Sequence, residues 1–213
     1  MARALLRRSA LPLQTRPSIS GYSQCMKKAL LTLALLTGIG FAQTTQRLEP
    51  TSVVTYFASA GNDKWSGKAP VETLEWRFDL KRPLETQFRA TVRPAKFDSG
   101  NGIRDDNARN NVFKVARFPT VTIQSTGITG DKRTLVSGET RKFRAQAKLE
   151  LGGITKDLEI PLEVYFDGVT RRLTASGSFE ISLGFHKLER PEFIWLKTDD
   201  AVRLEVRLEM TLQ

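Results

Sequence analysis

The stretch FRAQAKLELGGITKDLEIPLEVYF, residues 143–166, alternates apolar and polar side chains on both sides of a glycine pair. Successive side chains of an extended chain point to opposite faces, so each half has one apolar face and one polar face. The pair Gly152-Gly153 supplies the backbone freedom that a tight turn requires. The stretch therefore predicts a β-hairpin whose two antiparallel strands bury the same face.

The same alternation recurs along most of the chain that follows residue 50. Two less regular segments, residues 52–57 and 121–125, bring the predicted set to about eight strands. Short connections with turn residues, such as Asp167-Gly168, separate several of them and favour antiparallel neighbours. The regular segments are residues 74–80, 84–93, 143–151, 158–166, 173–183 and 202–212.

Strands with one apolar face need a common interior in which to bury it. Closing the sheet on itself buries that face and removes both open edges. The sequence therefore predicts an all-β fold, an eight-stranded antiparallel barrel, and a two-sheet sandwich is the main alternative. A barrel of about eight strands either fills with its own side chains or holds one small ligand.

One short helix is predicted between two of these strands, in the polar stretch GIRDDNARNNVFKVARFP that begins at residue 102. Asp105 or Asp106 is expected to cap it, and Pro119 to end the segment. Residues 107–115 would form about two turns with Phe113 on the apolar side. We expect this helix to cover one end of the barrel, with its polar residues at the rim.

The segment MKKALLTLALLTGIGFAQ, residues 26–43, is typical of a secretory signal peptide. Two lysines precede an apolar run over residues 29–41, and Gly40-Phe41-Ala42 fits a cleavage site before Gln43. An uncleaved membrane anchor is the less favoured interpretation. We interpret residues 1–25 as an extension from an upstream start, with a long basic leader or transit peptide as the alternative. Residues 26–42 are then the signal peptide and 43–213 the domain, which predicts a periplasmic or secreted protein.

The net charge of the predicted mature chain is modest. The sequence has 33 basic and 23 acidic residues, but residues 1–42 contain six basic residues and no acidic ones. Removing them leaves 27 basic against 23 acidic residues, a net charge of +4. This balance, without a run of Lys and Arg, argues against a nucleic-acid partner. The single cysteine, Cys25, precedes the predicted domain, which would lack disulfides.

The residue inventory disfavours catalysis. His186 is the single histidine, lies in a predicted loop, and is expected to be solvated. The pairs Asp105-Asp106 and Asp199-Asp200 resemble a helix cap and a turn more than a metal site. No nucleophile or phosphate-loop motif occurs. We therefore predict neither catalytic nor metal-binding residues, and a hydrolase that uses two carboxylates remains the less favoured alternative.

Three stretches of the sequence, two of which overlap segments quoted above, resemble the YceI-like family of periplasmic lipid- or polyisoprenoid-binding proteins. These are RDDNARNNVFKVARFPTVTIQST at 104–126, AKLELGGITKDLEIPLEV at 147–164, and ASGSFEISLGFHKLERPEFIWLKTDDAVRLEVRLEM at 175–210. The similarity runs in order over residues 48–212. The resemblance implies a lipocalin-like barrel, with the helix near its mouth, that holds an isoprenoid or a similar long apolar chain without catalysis and without a further cofactor.

The inward-facing apolar residues are the candidates for contact with such a chain. Burial of its methylenes would drive binding. Arg104 and Arg109, in or beside the predicted helix, could pair with an acidic head group at the rim. A solid barrel with a structural or interaction role is the second hypothesis, and a homodimer stays open. The candidate pocket residues are Phe78, Phe88, Val92, Phe113, Leu149, Ile160, Leu162, Val164, Phe179 and Ile181.

Overall fold

The computed structural model describes residues 46–193 and 196–212. The chain divides into two units, Met1–Phe41 and Ala42–Gln213, and every element described belongs to the second. The predicted extension and the predicted signal peptide, residues 1–42, lie outside the described residues. No helix in the described ranges is long and apolar enough to cross a membrane.

Antiparallel strands make up most of the described residues. They are β1 (Gln46–Leu48), β2 (Val53–Ala60), β3 (Asp63–Arg77), β4 (Gln87–Val92), β5 (Val121–Gly130), β6 (Thr140–Leu151), β7 (Ile154–Asp167), β8 (Arg172–Ser182), β9 (Glu192–Phe193), β10 (Leu196–Lys197) and β11 (Ala201–Leu212). The helical elements are α1 (Gly102–Asn107), a π-helical turn (Ala108–Val112), and 3-10 turns at Pro83–Glu85, Pro94–Lys96 and Gly184–His186.

The strands β2 to β8 pair in chain order, and β11 closes the sheet between β8 and β2. Leu204 of β11 lies opposite Phe179 on one side and opposite Tyr56 on the other. The result is a closed eight-stranded antiparallel barrel, which confirms the predicted fold and excludes the sandwich. The short β1 pairs with the C-terminal end of β11, with Gln46 opposite Leu212 and Leu48 opposite Met210.

The hairpin of β6 and β7 has the predicted register. Its pairs run without interruption from Thr140 opposite Tyr165 to Leu151 opposite Ile154. Both turn glycines have positive φ, +60° at Gly152 and +76° at Gly153, a conformation that other residues adopt only with strain. The alternate residues of β6 from Arg141 to Leu151 are buried, as the pattern predicts.

The boundaries of β3 and β4 differ from the prediction. The strand β3 begins at Asp63, well before the predicted start at residue 74. Its alternation runs from Trp65 to Val71, and a register shift between Val71 and Thr73 changes the parity before Leu74, so the two halves do not form one continuous pattern. The segment that was predicted to start a strand at residue 84 instead forms the 3-10 turn Pro83–Glu85. Pro83 fixes its own φ and opens the helical turn, so the strand starts only at Gln87.

The helix lies in the predicted segment but not over the predicted residues 107–115, because α1 covers Gly102–Asn107 and the π-helical turn Ala108–Val112 follows it. Its cap differs as well. The side chain of Asn101 accepts a hydrogen bond from the Arg104 N–H at 3.1 Å and caps α1. The predicted cap Asp105 is instead inside the helix and buried, where it accepts from the Ser99 hydroxyl at 2.7 Å. Asp106 pairs with Arg109. Asparagine and aspartate have the same capping chemistry. The predicted cap position was therefore too late in the chain, at residue 105 or 106 instead of residue 101.

The two ends of the barrel differ in their connections. We call the end with the β2–β3 turn, the β6–β7 turn and the long segments 93–120 and 183–200 the open end. The opposite end, with segments 78–86, 131–139 and 168–171, is the closed end. There the Leu135 side chain is only 2% exposed and packs with Phe143, Leu173 and Met210. Its backbone N–H donates to the Leu80 carbonyl at 2.7 Å, which fixes the loop across the barrel.

Candidate functional site

A cavity of about 910 Å³ occupies the interior of the barrel. Its wall is formed mainly by the inward side chains of the strands, and apolar residues predominate. All the predicted pocket residues lie on this wall: Phe78, Phe88, Val92, Phe113, Leu149, Ile160, Leu162, Val164, Phe179 and Ile181. Their contact with a ligand stays a prediction.

Small side chains on the inward positions leave this space unfilled. Ala58, Ala90 and Ala175 face the cavity from three different strands, where a larger aliphatic residue would project into it. On β6, by contrast, Ala145 and Ala147 are buried beside Ile160 and do not line the cavity. The barrel is therefore hollow along part of its length, which argues against the solid-barrel interpretation.

Polar residues on the wall are concentrated at the open end. Asp63 and Lys64 are the first residues of β3, while Asn101, Arg104 and Asn107 come from α1 and its cap. The apolar cluster around Leu135 lies at the closed end. The cavity thus has an apolar interior and a polar rim, an arrangement that suits an amphiphile with its head at the open end.

The predicted rim residue Arg104 is held at this mouth by several contacts. Its Nε donates to the Ser99 hydroxyl at 2.9 Å, and its Nη2 donates to the Ser99 carbonyl at 3.2 Å. Its guanidinium lies 5.4 Å from the centroid of the Trp65 ring, within the range of a cation–π contact. Asp105 fixes Ser99 in turn. The positive charge of Arg104 is therefore positioned at the rim without an ion pair among the described residues.

The predicted rim residue Arg109 does not reach the cavity wall. Its Nη1 lies 2.7 Å from the Asp106 carboxylate, and its Nε donates to the Ala95 carbonyl at 3.1 Å. These contacts draw the guanidinium along the outside of segment 93–120. The structure therefore brings Arg104, and not Arg109, to the mouth.

An aromatic group lines the cavity beside α1. Tyr56 meets Phe97 edge to face with ring centroids 5.2 Å apart, and Phe97 stacks on Phe113 at 5.9 Å. A Cβ at Gly67 would lie 2.5 Å from Tyr56 Cε1, so the glycine makes room for the ring. Burial raises the pKa of Tyr56, although a hydrogen bond with Ser99 acts in the opposite direction. The neutral phenol is therefore available as a polar contact near the mouth.

Sequence reasoning missed Tyr56 and Trp65 as wall residues. Tyr56 lies on a predicted strand, and the inward alternation of Val54, Tyr56 and Ala58 was a signal that could have assigned it. Trp65 carried a similar signal, since Lys64, Ser66 and Lys68 alternate with Trp65, Gly67 and Ala69, but the predicted strand began only at residue 74. Its place under Arg104 depends on how segment 93–120 folds back onto β3, where Lys68 bridges to Asp98.

His186 differs from its expected solvated state. Its side chain is buried, with Nδ1 3.1 Å from the Ser182 carbonyl oxygen, and its Nε2 has no hydrogen-bond partner in the described residues. The 3-10 turn Gly184–His186 folds the ring back onto the end of β8. His186 does not line the cavity. Within residues 46–193 and 196–212, no three His, Cys, Asp or Glu side chains are grouped to hold a metal ion.

Comparison with known proteins gives a family and several structures with the same fold. A family model described as the YceI-like domain matches residues 47–211. A search of curated proteins gives no significant match. Among solved structures, BcnA of Burkholderia cenocepacia is 19% identical with a TM-score of 0.65, and the alignment covers 76% of this chain and 99% of BcnA.

Two other solved structures show the same architecture. A polyisoprenoid-binding domain from Saccharophagus degradans, implicated in plant cell wall breakdown, is 14% identical with a TM-score of 0.61; the alignment covers 80% of this chain and 99% of that domain. The YCEI protein of Campylobacter jejuni is 18% identical with a TM-score of 0.51, and the alignment covers 86% and 97%. At these identities the likeness concerns the fold.

Proposed function

The chain belongs to the YceI-like family, and we propose that it binds an amphiphilic lipid with a long apolar chain, such as a polyisoprenoid, inside the barrel and without catalysis. The observation that carries this proposal is the cavity of about 910 Å³, with an apolar wall and a polar rim at one end. The Saccharophagus degradans domain, which is named for polyisoprenoid binding, supports the same ligand class.

Burial of the apolar chain supplies the driving force. Each methylene that leaves water contributes about 0.8 kcal/mol, so about ten carbons contribute about 8 kcal/mol. Association and the ordering of the chain cost about 4–15 kcal/mol. Affinity should therefore rise steeply with chain length until the cavity is filled. Such a dependence of affinity on chain length is expected when a protein binds its ligand by burial alone, without catalysis.

The head of the ligand would stay at the open end. Arg104 is oriented there by Ser99 and Trp65, and Tyr56 lies on the cavity wall against Phe97. A cation on a fixed support pairs well with a carboxylate or phosphate, because little side-chain entropy is lost on binding. We place Arg104 as the head-group contact and assign no such role to Arg109.

We also place this function in the cell envelope or outside the cell, where the protein would store or carry its ligand. The signal-like segment 26–42 supports this location. Long isoprenoid chains partition out of water, so movement between membranes across an aqueous compartment needs a container. The barrel provides one that buries the chain.

Native mass spectrometry of protein purified without detergent, followed by organic extraction, tests the proposal. We expect a discrete added mass that extracts as an intact isoprenoid or acyl chain. An apo mass that persists after incubation with isoprenoids and fatty acids would contradict binding, while a bound lipid found cleaved would favour a hydrolase. The same spectra show whether the protein is a monomer or a homodimer.

Two variants of β8 provide a matched comparison for this experiment. Ala175→Phe adds a ring on the cavity face, whereas Ser178→Phe adds the same ring at an exposed position on the opposite face. We expect Ala175→Phe to lose ligand or to retain only shorter chains, and Ser178→Phe to match the unmodified protein. Equal ligand content and length in both variants would place the ligand outside the barrel.

A further inference from the structure

The open end exposes large apolar side chains on both of its long segments. Ile103, on α1, is 84% exposed and also forms part of the cavity wall. Phe185, in the turn after β8, is 74% exposed. Exposure of such large apolar side chains to water is unfavourable. Their position around the mouth of a lipid-binding cavity therefore indicates contact with an apolar phase.

The segment that carries Ile103 is also basic. Residues 93–120 contain six basic and three acidic residues. Arg109 pairs with Asp106, and Arg93 and Lys96 pair with Glu72 of β3. Within the described residues this leaves Arg104, Lys114 and Arg117 without a carboxylate partner. Of these, Lys114 is exposed. The outer surface of this segment therefore presents net positive charge beside an exposed apolar residue.

The closed end has exposed apolar residues without these accompanying features. Val169 is 92% exposed and Val136 is 44% exposed. Segments 78–86, 131–139 and 168–171 together contain five basic and four acidic residues, and Leu135 seals the barrel there. Apolar exposure thus occurs at both ends, but the largest excess of basic residues lies in segment 93–120 of the open end, which also contributes to the cavity wall. Segment 183–200, which carries Phe185, contains three basic and four acidic residues.

We propose that the open end docks on bilayers that contain anionic lipids, with Ile103 and Phe185 inserted among the head groups. This inference rests on the proposed lipid-binding function. The basic surface of residues 93–120 matches the charge of such a bilayer, where each Lys or Arg near the surface contributes about 1 kcal/mol. A water-insoluble ligand resides in a bilayer, so docking at the mouth lets the chain move between bilayer and cavity without crossing water.

Flotation with vesicles of phosphatidylcholine alone or with phosphatidylglycerol tests the docking. The full chain is used throughout, so the apolar run at residues 29–41 is common to every variant. We expect binding to the anionic vesicles to exceed binding to the neutral ones and to weaken with salt. Phe185→Asp should lower it about tenfold, and Lys114→Glu at least about fivefold at low salt. Val169→Asp, at the closed end, is the matched control and should bind like the unmodified protein.

A second measurement separates docking from ligand binding. Uptake of farnesol from solution should be unchanged in Phe185→Asp and Lys114→Glu, because neither residue lines the cavity, whereas transfer of a fluorescent isoprenoid from anionic vesicles should slow in both. Equal vesicle binding by Phe185→Asp and Val169→Asp, or binding indifferent to vesicle charge, would overturn the docking proposal. Absence of farnesol uptake in the unmodified protein would instead count against the proposed function.

Discussion

Truncation of Leu135 should unseal the closed end of the barrel. The side chain is 2% exposed and packs with Phe143, Leu173 and Met210, although it belongs to a loop. Its backbone N–H is bonded to the Leu80 carbonyl. The substitution Leu135→Ala keeps that backbone hydrogen bond and removes only the apolar contacts. Its effect on stability therefore measures the contribution of the Leu135 side chain.

The expected cost follows from the atoms removed. Three buried carbons are lost, which at about 0.8 kcal/mol each amounts to about 2.4 kcal/mol. The space left behind adds to this value, because the closed β-ladders around it restrict collapse, and Leu→Ala changes in cores cost about 2–5 kcal/mol. We therefore expect the free energy of unfolding to fall by about 3 kcal/mol. The new space should join the ligand cavity, because Phe143, Leu173 and Met210 also line it.

Urea unfolding of delipidated protein, followed by circular dichroism, measures this cost. With an m-value of about 2 kcal/mol per molar, the midpoint should fall by about 1.5 M. Val136→Ala is the matched control, since this neighbouring side chain is 44% exposed and its truncation should change stability by no more than about 0.5 kcal/mol. A Leu135→Ala midpoint within about 0.3 M of the control would refute the sealing role.

Two further changes test the closed end and the turn of β6 and β7. The hydrogen bond from Arg133 holds the pKa of Asp131 far below its ordinary 3.8. A depressed pKa stabilises the fold above the unfolded value, so Asp131→Asn should be less stable than the unmodified protein near neutral pH. The two melting curves should converge as the pH falls below 3.8, and a constant gap down to strongly acidic pH would contradict this. Gly153→Ala and Gly138→Ala both place alanine at positive φ, but only at Gly153 would the Cβ meet a side chain, 2.7 Å from Phe118 Cε1. Thermal melting should show a larger loss for Gly153→Ala than for Gly138→Ala, which should cost about 1–2 kcal/mol; equal losses would mean that Phe118 moves aside freely.

The barrel could be predicted because its inward and outward positions are chemically distinct along most strands. In β6 the inward residues from Phe143 to Leu151 are apolar and every outward residue between them is polar, so a one-residue shift would bury charges. The same alternation identified wall residues such as Ile160 and Phe179, whose inward direction is set by strand parity alone.

The mouth and the closed end could not be predicted in the same way. Leu135 and Val136 are adjacent apolar residues in the otherwise polar segment 131–139, and nothing periodic in the sequence indicates that Leu135 is the one that folds across the barrel. Arg104 and Arg109 look equivalent in the sequence, but one is held by Ser99 and Trp65 while the other pairs with Asp106. These outcomes depend on how long connections return to the strands, a non-local property that strand alternation does not encode.

The buried apolar clusters and the smaller residues that leave space for ligand share the wall of one cavity. Two of the apolar clusters, one around Leu135 and Met210 and another around Leu149 and Val202, contribute large side chains to this wall, and smaller residues such as Ala175 lie between them. The closed sheet satisfies backbone hydrogen bonds whether or not a chain fills the interior. A change at a small wall position alters the space for ligand while those clusters and the ladders remain. The fold can therefore accept chains of different length through a few wall substitutions, provided that the clusters are kept.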